Sequence, residues 1–179
     1  MKKLFTTLLV FGILAAGSQV KAQKTTGDSN GVRFGIGIEG ALPLGALKVY
    51  DAGAGLSLRL SKGFGEGFAG TLTVGGMAFF PTSTLTANSK ASIFVPIKIG
   101  GRYMFSENFY GMAEAGITIT NTYGVTGFTG TTPNYGFISG SSFTYAPSVG
   151  AKFGAFDIGV RYEGLDGGGF AGLRLGFDF

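Results

Sequence analysis

The stretch VRFGIGIEGAL, residues 32–42, places bulky apolar side chains at every second position. The apolar phase holds Val32, Phe34, Ile36, Ile38 and Leu42. The opposite phase holds two charged residues and two glycines between them. A period of two residues is typical of a β-strand with one apolar face. The stretch therefore predicts a strand that separates an apolar environment from a polar one.

The same alternation recurs along the chain and predicts eight strands in all. Their approximate ranges are 32–42, 52–60, 68–80, 92–105, 109–121, 143–153, 156–162 and 170–179. A length of about ten residues suits a tilted strand that crosses a membrane. Short connections also alternate with long ones that are rich in Thr, Ser and Gly, as in membrane barrels. We therefore expect an all-β fold, an eight-stranded antiparallel up-and-down transmembrane β-barrel.

The composition excludes several other classes of protein. The 34 glycines and five prolines among 179 residues argue against a helical bundle. Only 13% of the residues are charged and 14% are aromatic, which argues against disorder. The chain has neither Cys nor His, so thiol catalysis, serine–histidine catalysis and ordinary zinc sites lack their reagents. We expect no enzyme activity, no cofactor and no metal site.

The N-terminus has the pattern of a secretory signal peptide that is cleaved after Ala22. Two lysines precede an apolar run over residues 4–16, and small and polar residues follow it. We expect residues 1–22 to be removed, residues 23–31 to form a periplasmic tail and residues 32–179 to form the barrel. Removing the three lysines of the signal peptide leaves 11 basic against 10 acidic residues, which gives no argument for nucleic-acid binding.

Every charged residue within the predicted strands lies on the phase opposite to the apolar one. These residues are Arg33, Glu39, Arg59, Lys98, Arg102, Glu114, Lys152, Asp157, Arg161, Glu163, Arg174 and Asp178. Most strand glycines share that phase. The interior of an eight-stranded barrel is crowded, so residues without side chains are needed there. This favours a membrane barrel that encloses the charges as an ion-pair network. A soluble secreted lipocalin-like carrier, with its apolar phase inside, is the alternative.

The C-terminal segment FAGLRLGFDF, residues 170–179, alternates to its last residue and ends in Phe. It resembles the terminal strand of bacterial outer-membrane barrels. With the signal peptide and the eight segments, the mature chain resembles the small OmpA/OmpX-like barrels of the porin family over nearly its full length. The resemblance implies a Gram-negative outer membrane and recognition by the barrel-assembly machinery. The recognised face would be Leu173, Leu175, Phe177 and Phe179.

The resemblance also implies a non-enzymatic integral outer-membrane protein with a lumen filled by side chains. Its surroundings would be outer-membrane lipid, and the external loops 81–91 and 122–142 would contact a surface partner. Structural, adhesive or interaction roles fit such a protein. A narrow or laterally opening transport barrel for small or apolar solutes is the alternative, because eight strands leave room only for side chains or one small ligand.

The two tightest turns predict the register of the strands that they join. The turn after the fourth strand places Glu114 opposite Gly100. The turn after the sixth strand begins with Gly, as a type II′ hairpin prefers, and places Lys152 opposite Asp157. Both predictions put oppositely charged groups in one lumen.

Overall fold

The computed structural model describes residues 31–82 and 90–179, and within them eight antiparallel strands form a closed barrel. The strands are β1 (Val32–Gly45), β2 (Tyr50–Gly65), β3 (Phe68–Pro81), β4 (Ser92–Met104), β5 (Phe109–Thr129), β6 (Thr132–Phe153), β7 (Phe156–Leu165) and β8 (Gly168–Asp178). A 3₁₀ helix (Ala46–Val49) joins β1 to β2. In the described part of the chain, no helix is long and apolar enough to cross a membrane.

Each strand pairs with its neighbours in the sequence, and β8 closes the ring by pairing with β1 from Gly35↔Asp178 to Gly45↔Gly168. The up-and-down barrel expected from the alternation is therefore confirmed. The proposed signal peptide, and the proposed tail apart from Gly31, lie outside the described residues.

The barrel has a turn end and a loop end. The turn end carries the connections 66–67, 105–108 and 154–155, and the loop end carries 46–49, 130–131 and 166–167. Gly154 has a φ of 65°, a left-handed conformation that glycine adopts without strain. The connection from β3 to β4 is also at the loop end, and residues 83–89 of it lie outside the described residues.

The predicted loop 122–142 is wrong, because these residues are almost entirely β-structure. β5 continues to Thr129, β6 begins at Thr132, and Gly130 and Thr131 form the turn between them. The segment is rich in Thr, Ser, Gly and Asn, residues that the sequence analysis assigned to a loop. Bulky residues alternate there only over short runs, such as Pro133, Tyr135 and Phe137, and they lie among Thr, Gly and Asn that are typical of loops.

The outer wall of the barrel is apolar. Ile38 is 58% exposed and Ile99 is 68% exposed, and both point away from the lumen. The same outward orientation holds for Phe34, Ile36, Leu56, Leu58, Leu60, Leu72, Val74, Ile93, Ile97, Ile117, Ile119, Val149, Val160 and Leu173. A soluble carrier would hold these side chains inside, so that alternative is wrong. This wall is the surface that a lipid bilayer solvates.

Aromatic side chains encircle both edges of the apolar wall. Exposed rings at the turn end belong to Phe34, Phe64, Phe68, Tyr103, Phe105, Phe109, Phe153, Phe156 and Phe179. Towards the loop end they belong to Phe80, Phe143, Tyr145 and Tyr162. Such girdles mark the two membrane–water interfaces of a transmembrane barrel.

Candidate functional site

The lumen contains eleven of the twelve charged residues that the alternation assigns to the polar phase. Their side chains are buried in Glu39, Arg59, Lys98, Arg102, Glu114, Lys152, Asp157, Arg161, Glu163, Arg174 and Asp178. Arg33 is half-buried near the turn end and forms no ion pair with a described residue. The structure therefore brings eleven residues from seven different strands into one interior.

One group of ion pairs runs as a chain of alternating charge across the lumen. A carboxylate oxygen of Glu163 accepts from the Lys98 Nζ at 2.5 Å and from the Arg161 Nε at 2.8 Å. Arg161 also contacts Glu39 through its Nη1. The other carboxylate oxygen of Glu39 lies 3.7 Å from the Nε of Arg174. The chain links β4, β7, β1 and β8, which are not all neighbours in the wall.

A second group surrounds Asp157 near the turn end. The Asp157 carboxylate lies 3.6 Å from the Nη1 of Arg59 and 3.5 Å from the Nη1 of Arg174. It also accepts a hydrogen bond from the Tyr110 hydroxyl at 2.9 Å. The guanidinium of Arg102 lies 5.6 Å from the centroid of the same Tyr110 ring, at cation–π distance. Arg174 belongs to both groups, so the network is continuous.

The predicted register of Glu114 is confirmed, because it pairs with Gly100 across β4 and β5. Its carboxylate reaches over β4 to the next strand, where it accepts hydrogen bonds from Thr71 at 2.9 Å and Thr73 at 2.7 Å. Gly100 carries no side chain that would block this path. The strand pairing determines the position of Glu114. Its contacts are determined by the short distance across the narrow lumen to Thr71 and Thr73.

The predicted register of Lys152 is also confirmed, because it pairs with Asp157 across β6 and β7. Its ammonium group contacts Asp178 on β8 instead of the directly opposite Asp157. Asp157 is already held by two arginines and a tyrosine. Long side chains in a small barrel reach beyond the adjacent strand, so register does not determine ion-pair partners.

Glycines on the polar phase make room for the largest side chains of the network. A Cβ built on Gly37 would lie 2.6 Å from the Nε of Arg174, and one on Gly176 would lie 2.7 Å from its Cζ. A Cβ on Gly159 would lie 2.8 Å from the Tyr110 hydroxyl. Contacts this short are not tolerated between real atoms. The large side chains therefore lie flat against bare backbone.

The loop end of the lumen is closed by apolar side chains, which we call the aromatic cap: Ala41, Met77, Phe79, Phe94 and Phe170. The ring centroid of Phe79 lies 4.7 Å from that of Phe94 and 5.3 Å from that of Phe170. The alternation in the sequence did not predict this cap. The signal was present, because these three rings lie on the charged phase near the loop ends of their strands.

Little empty space remains between the ion pairs and the aromatic cap. A cavity beside Glu39, Arg59 and Lys98 has a volume of about 10 Å³, close to what one water molecule needs. Among residues 31–82 and 90–179, no group of three or more acidic side chains is arranged to hold a metal ion. The arrangement can pack and neutralise charge.

The second candidate site is the hairpin arm, residues 122–138, in which β5 and β6 continue past the barrel. Within the described chain these residues pair only across the hairpin, from Thr122↔Ile138 to the turn. The arm contains no charged residue. On its outer face the ring centroid of Tyr123 lies 6.3 Å from that of Tyr135 and 5.2 Å from that of Phe137. Phe128 adds a fourth, exposed ring near the turn.

Lys90, at the end of the β3–β4 connection, lies beside the rings of the arm. Its Nζ is 5.3 Å from the ring centroid of Tyr123 and 6.0 Å from that of Phe137. This is the cation–π range. The predicted contact loops 81–91 and 122–142 thus meet at one surface, although the second is a hairpin and part of the first lies outside the described residues.

The four residues of the proposed assembly signal lie on the outer face of the last strand. Phe179 follows β8, and its backbone N–H donates to the Phe34 carbonyl at 2.7 Å, while the Phe34 N–H donates back at 3.3 Å. The rings of these two residues stack with centroids 6.5 Å apart. Phe179 thus lies at the seam where the last strand meets the first.

No family model and no curated protein matches this sequence. Solved structures match over most of the chain. The attachment invasion locus protein Ail of Yersinia pestis aligns with a TM-score of 0.57 at 16% identity, over 82% of this chain and 98% of that chain. The outer membrane protein OprG from Pseudomonas aeruginosa aligns with a TM-score of 0.54 at 10% identity, over 88% and 99% of the two chains. The chain therefore has the fold of the small eight-stranded outer-membrane β-barrel proteins.

Proposed function

We propose that the protein is a non-enzymatic barrel of the outer membrane that holds the hairpin arm at the cell surface for contact with a partner. The observation that carries the proposal is the continuation of β5 and β6 beyond the barrel wall. Closing an eight-stranded barrel does not require this ordered extension. The barrel serves as its anchor.

The filled lumen supports an anchoring role over transport. The ion-pair network occupies the turn end and the middle, and the aromatic cap occupies the loop end. A solute would have to displace paired charges and then a packed ring cluster, and each buried charge left without its partner costs several kcal/mol. We expect no conductance steps from the purified barrel in planar bilayers. Stable conductance would favour the narrow transport barrel.

The chemistry of the hairpin arm indicates how it binds. Without charged residues, the arm offers rings for stacking and Thr, Ser and Asn for hydrogen bonds. Such surfaces bind through shape and polar contacts and depend weakly on salt. Among proteins of this fold, the Yersinia pestis relative is named for attachment and invasion, which agrees with a role in surface contact.

The proposal is tested by removing the arm. In the variant, residues 122–129 and 132–138 are deleted, so that Gly130 and Thr131 join Asn121 to Ser139. Cells that carry the wild-type protein should attach to epithelial cells or matrix-coated surfaces, and cells with the deletion should attach no better than cells that lack the protein. A triple variant, Tyr123→Ser, Tyr135→Ser and Phe137→Ser, keeps the hairpin and tests the contribution of these three rings to attachment.

Folding of each variant is checked by heat-modifiable migration of the detergent-extracted protein. Equal attachment by cells with the full and the shortened arm would contradict the proposal. So would equal attachment by cells with and without the protein.

A further inference from the structure

Among the described strands, Lys62 is the one basic residue on the outer face. The predicted second strand ended at residue 60, but β2 continues to Gly65 and so includes Lys62 on the lipid-facing phase. The side chain is exposed, and its Nζ lies 6.0 Å from the ring centroid of Phe64. Lys62 is three residues from the strand end, so its ammonium group reaches the interface at the turn end.

A row of small residues begins beside Lys62 and crosses the outer wall. Lys62 pairs with Gly70, Gly70 pairs with Gly101, Gly101 pairs with Ala113, and Ala113 pairs with Pro147. The row spans β2 to β6, and each of these positions points outward. The rings of Phe64 and Phe68 lie over Gly70 and Gly101, where a Cβ would be 3.0 Å from a carbon of each ring. The row is therefore open only beyond Phe68, towards Ala113 and Pro147.

The open part of the row lies in a groove of about 780 Å³, which Phe68 borders on the side of Lys62. Its floor includes Gly101, Gly111, Ala113 and Pro147, and larger side chains such as Tyr103 and Tyr162 border it. The β6–β7 pairing is interrupted at the groove, passing from Tyr145↔Gly164 to Ser148↔Arg161, because Pro147 has no N–H to donate. The volume is within the range of about 300 to 1,000 Å³ that small-molecule sites occupy.

We propose that this groove binds one acyl chain of an anionic glycerophospholipid whose phosphate contacts Lys62. The inference rests on the membrane placement of the barrel. An apolar groove inside a bilayer is occupied by an apolar chain. Lys62 lies on the other side of Phe68, where the aromatic girdle marks the interface, and supplies charge complementarity to a phosphate there. Strands are about 4.8 Å apart, so Lys62 lies about 10 Å from the floor at Gly101, a span that one lipid covers.

The test is native mass spectrometry of the full folded protein, extracted in detergent and supplied with phosphatidylglycerol or with phosphatidylcholine of the same chains. Ala113→Leu fills the groove, and Ala54→Leu makes the same change on the outer face of β2, away from it. Lys62→Gln removes the proposed anchor, and Lys48→Gln removes an exposed cation at the loop end.

We expect the wild-type protein to retain one phosphatidylglycerol. Ala113→Leu should lower retention of both lipids about tenfold, by displacing roughly two methylene groups. Lys62→Gln should lower retention of phosphatidylglycerol alone, about fivefold. The Ala54→Leu and Lys48→Gln variants should match the wild type.

If Ala113→Leu and Ala54→Leu retain lipid equally, the acyl chain does not bind in the groove. If Lys62→Gln and Lys48→Gln retain phosphatidylglycerol equally, the phosphate does not contact Lys62. A dimer that Ala113→Leu dissociates would show that a second copy of the chain occupies the groove, and would also overturn the proposal. Heat-modifiable migration shows whether each of the four variants still folds as a membrane barrel. Loss of a bound lipid can then be distinguished from loss of the membrane fold.

Discussion

The guanidinium group of Arg174 lies on the bare backbone of Gly37, where a Cβ would be 2.6 Å from its Nε. From this position Arg174 donates to the Ser57 hydroxyl at 3.1 Å and lies within ion-pair distance of Glu39 and Asp157. The absence of one side chain on β1 therefore positions the residue that joins the two groups of lumen ion pairs.

Replacing Gly37 with alanine should destabilise the barrel by about 1 to 3 kcal/mol, because Arg174 must move and its buried partners lose contact. The measurement is the free energy of unfolding from urea titration in lipid vesicles. Gly40→Ala is the matched control on the same strand, since a Cβ at residue 40 meets no atom within 4 Å. Equal stability of the two variants would show that Arg174 is not held by Gly37.

Glu163→Gln should be more destabilising than Lys98→Met, although each removes one side of the same ion pair. Glu163 neutralises both Lys98 and Arg161, so its loss leaves Lys98 without a carboxylate contact, at a cost of about 3 to 5 kcal/mol. Loss of Lys98 leaves Glu163 paired with Arg161.

The unfolding free energies of the two single variants and of the double variant give the coupling between the residues. The double variant should be more stable than Glu163→Gln alone. The reverse order of the two single variants would show that water in the lumen solvates Lys98.

The fold could be predicted because one physical constraint acts along every strand of the wall. A strand with lipid on one side and a crowded polar lumen on the other must alternate, and residues 32–42 show this without any tertiary information. The pairings of Glu114 and Lys152 followed from turn length alone.

Where that constraint is absent, the prediction failed. The hairpin arm extends past the lipid-facing wall, and its few alternating bulky residues lie among Thr, Gly and Asn, which indicate a loop. The cap residues Phe79, Phe94 and Phe170 break the rule that the inner phase is polar, since an apolar cluster closes the loop end. The contact of Lys152 with Asp178 depends on distances across the lumen, which pairing of adjacent strands does not contain.

Ile97→Arg should cost about 2 to 4 kcal/mol of unfolding free energy, because Ile97 points outward near the middle of β4 and the arginine would lie in the bilayer. Phe105→Arg, in the connection that follows β4 at the turn end, is the control and should cost about 1 kcal/mol or less. The measurement is again urea titration in vesicles. Equal losses of unfolding free energy at both positions would contradict the placement of Ile97 near the middle of the bilayer and of Phe105 at the interface.

Phe179→Ser should lower the amount of folded barrel in the outer membrane and raise the amount of degraded or aggregated precursor. Phe179 is the last aromatic of the proposed assembly signal, and its ring also stacks on Phe34 at the seam between β8 and β1. Phe153→Ser is the matched control, because Phe153 is a similarly exposed ring of the same girdle that lies outside the terminal strand. Loss of a girdle ring alone should weaken both variants similarly once they are folded in vesicles, whereas loss of the assembly signal should reduce insertion in cells only for Phe179→Ser. If both variants assemble in cells to the same extent, the terminal aromatic acts as a girdle residue and not as a recognition element.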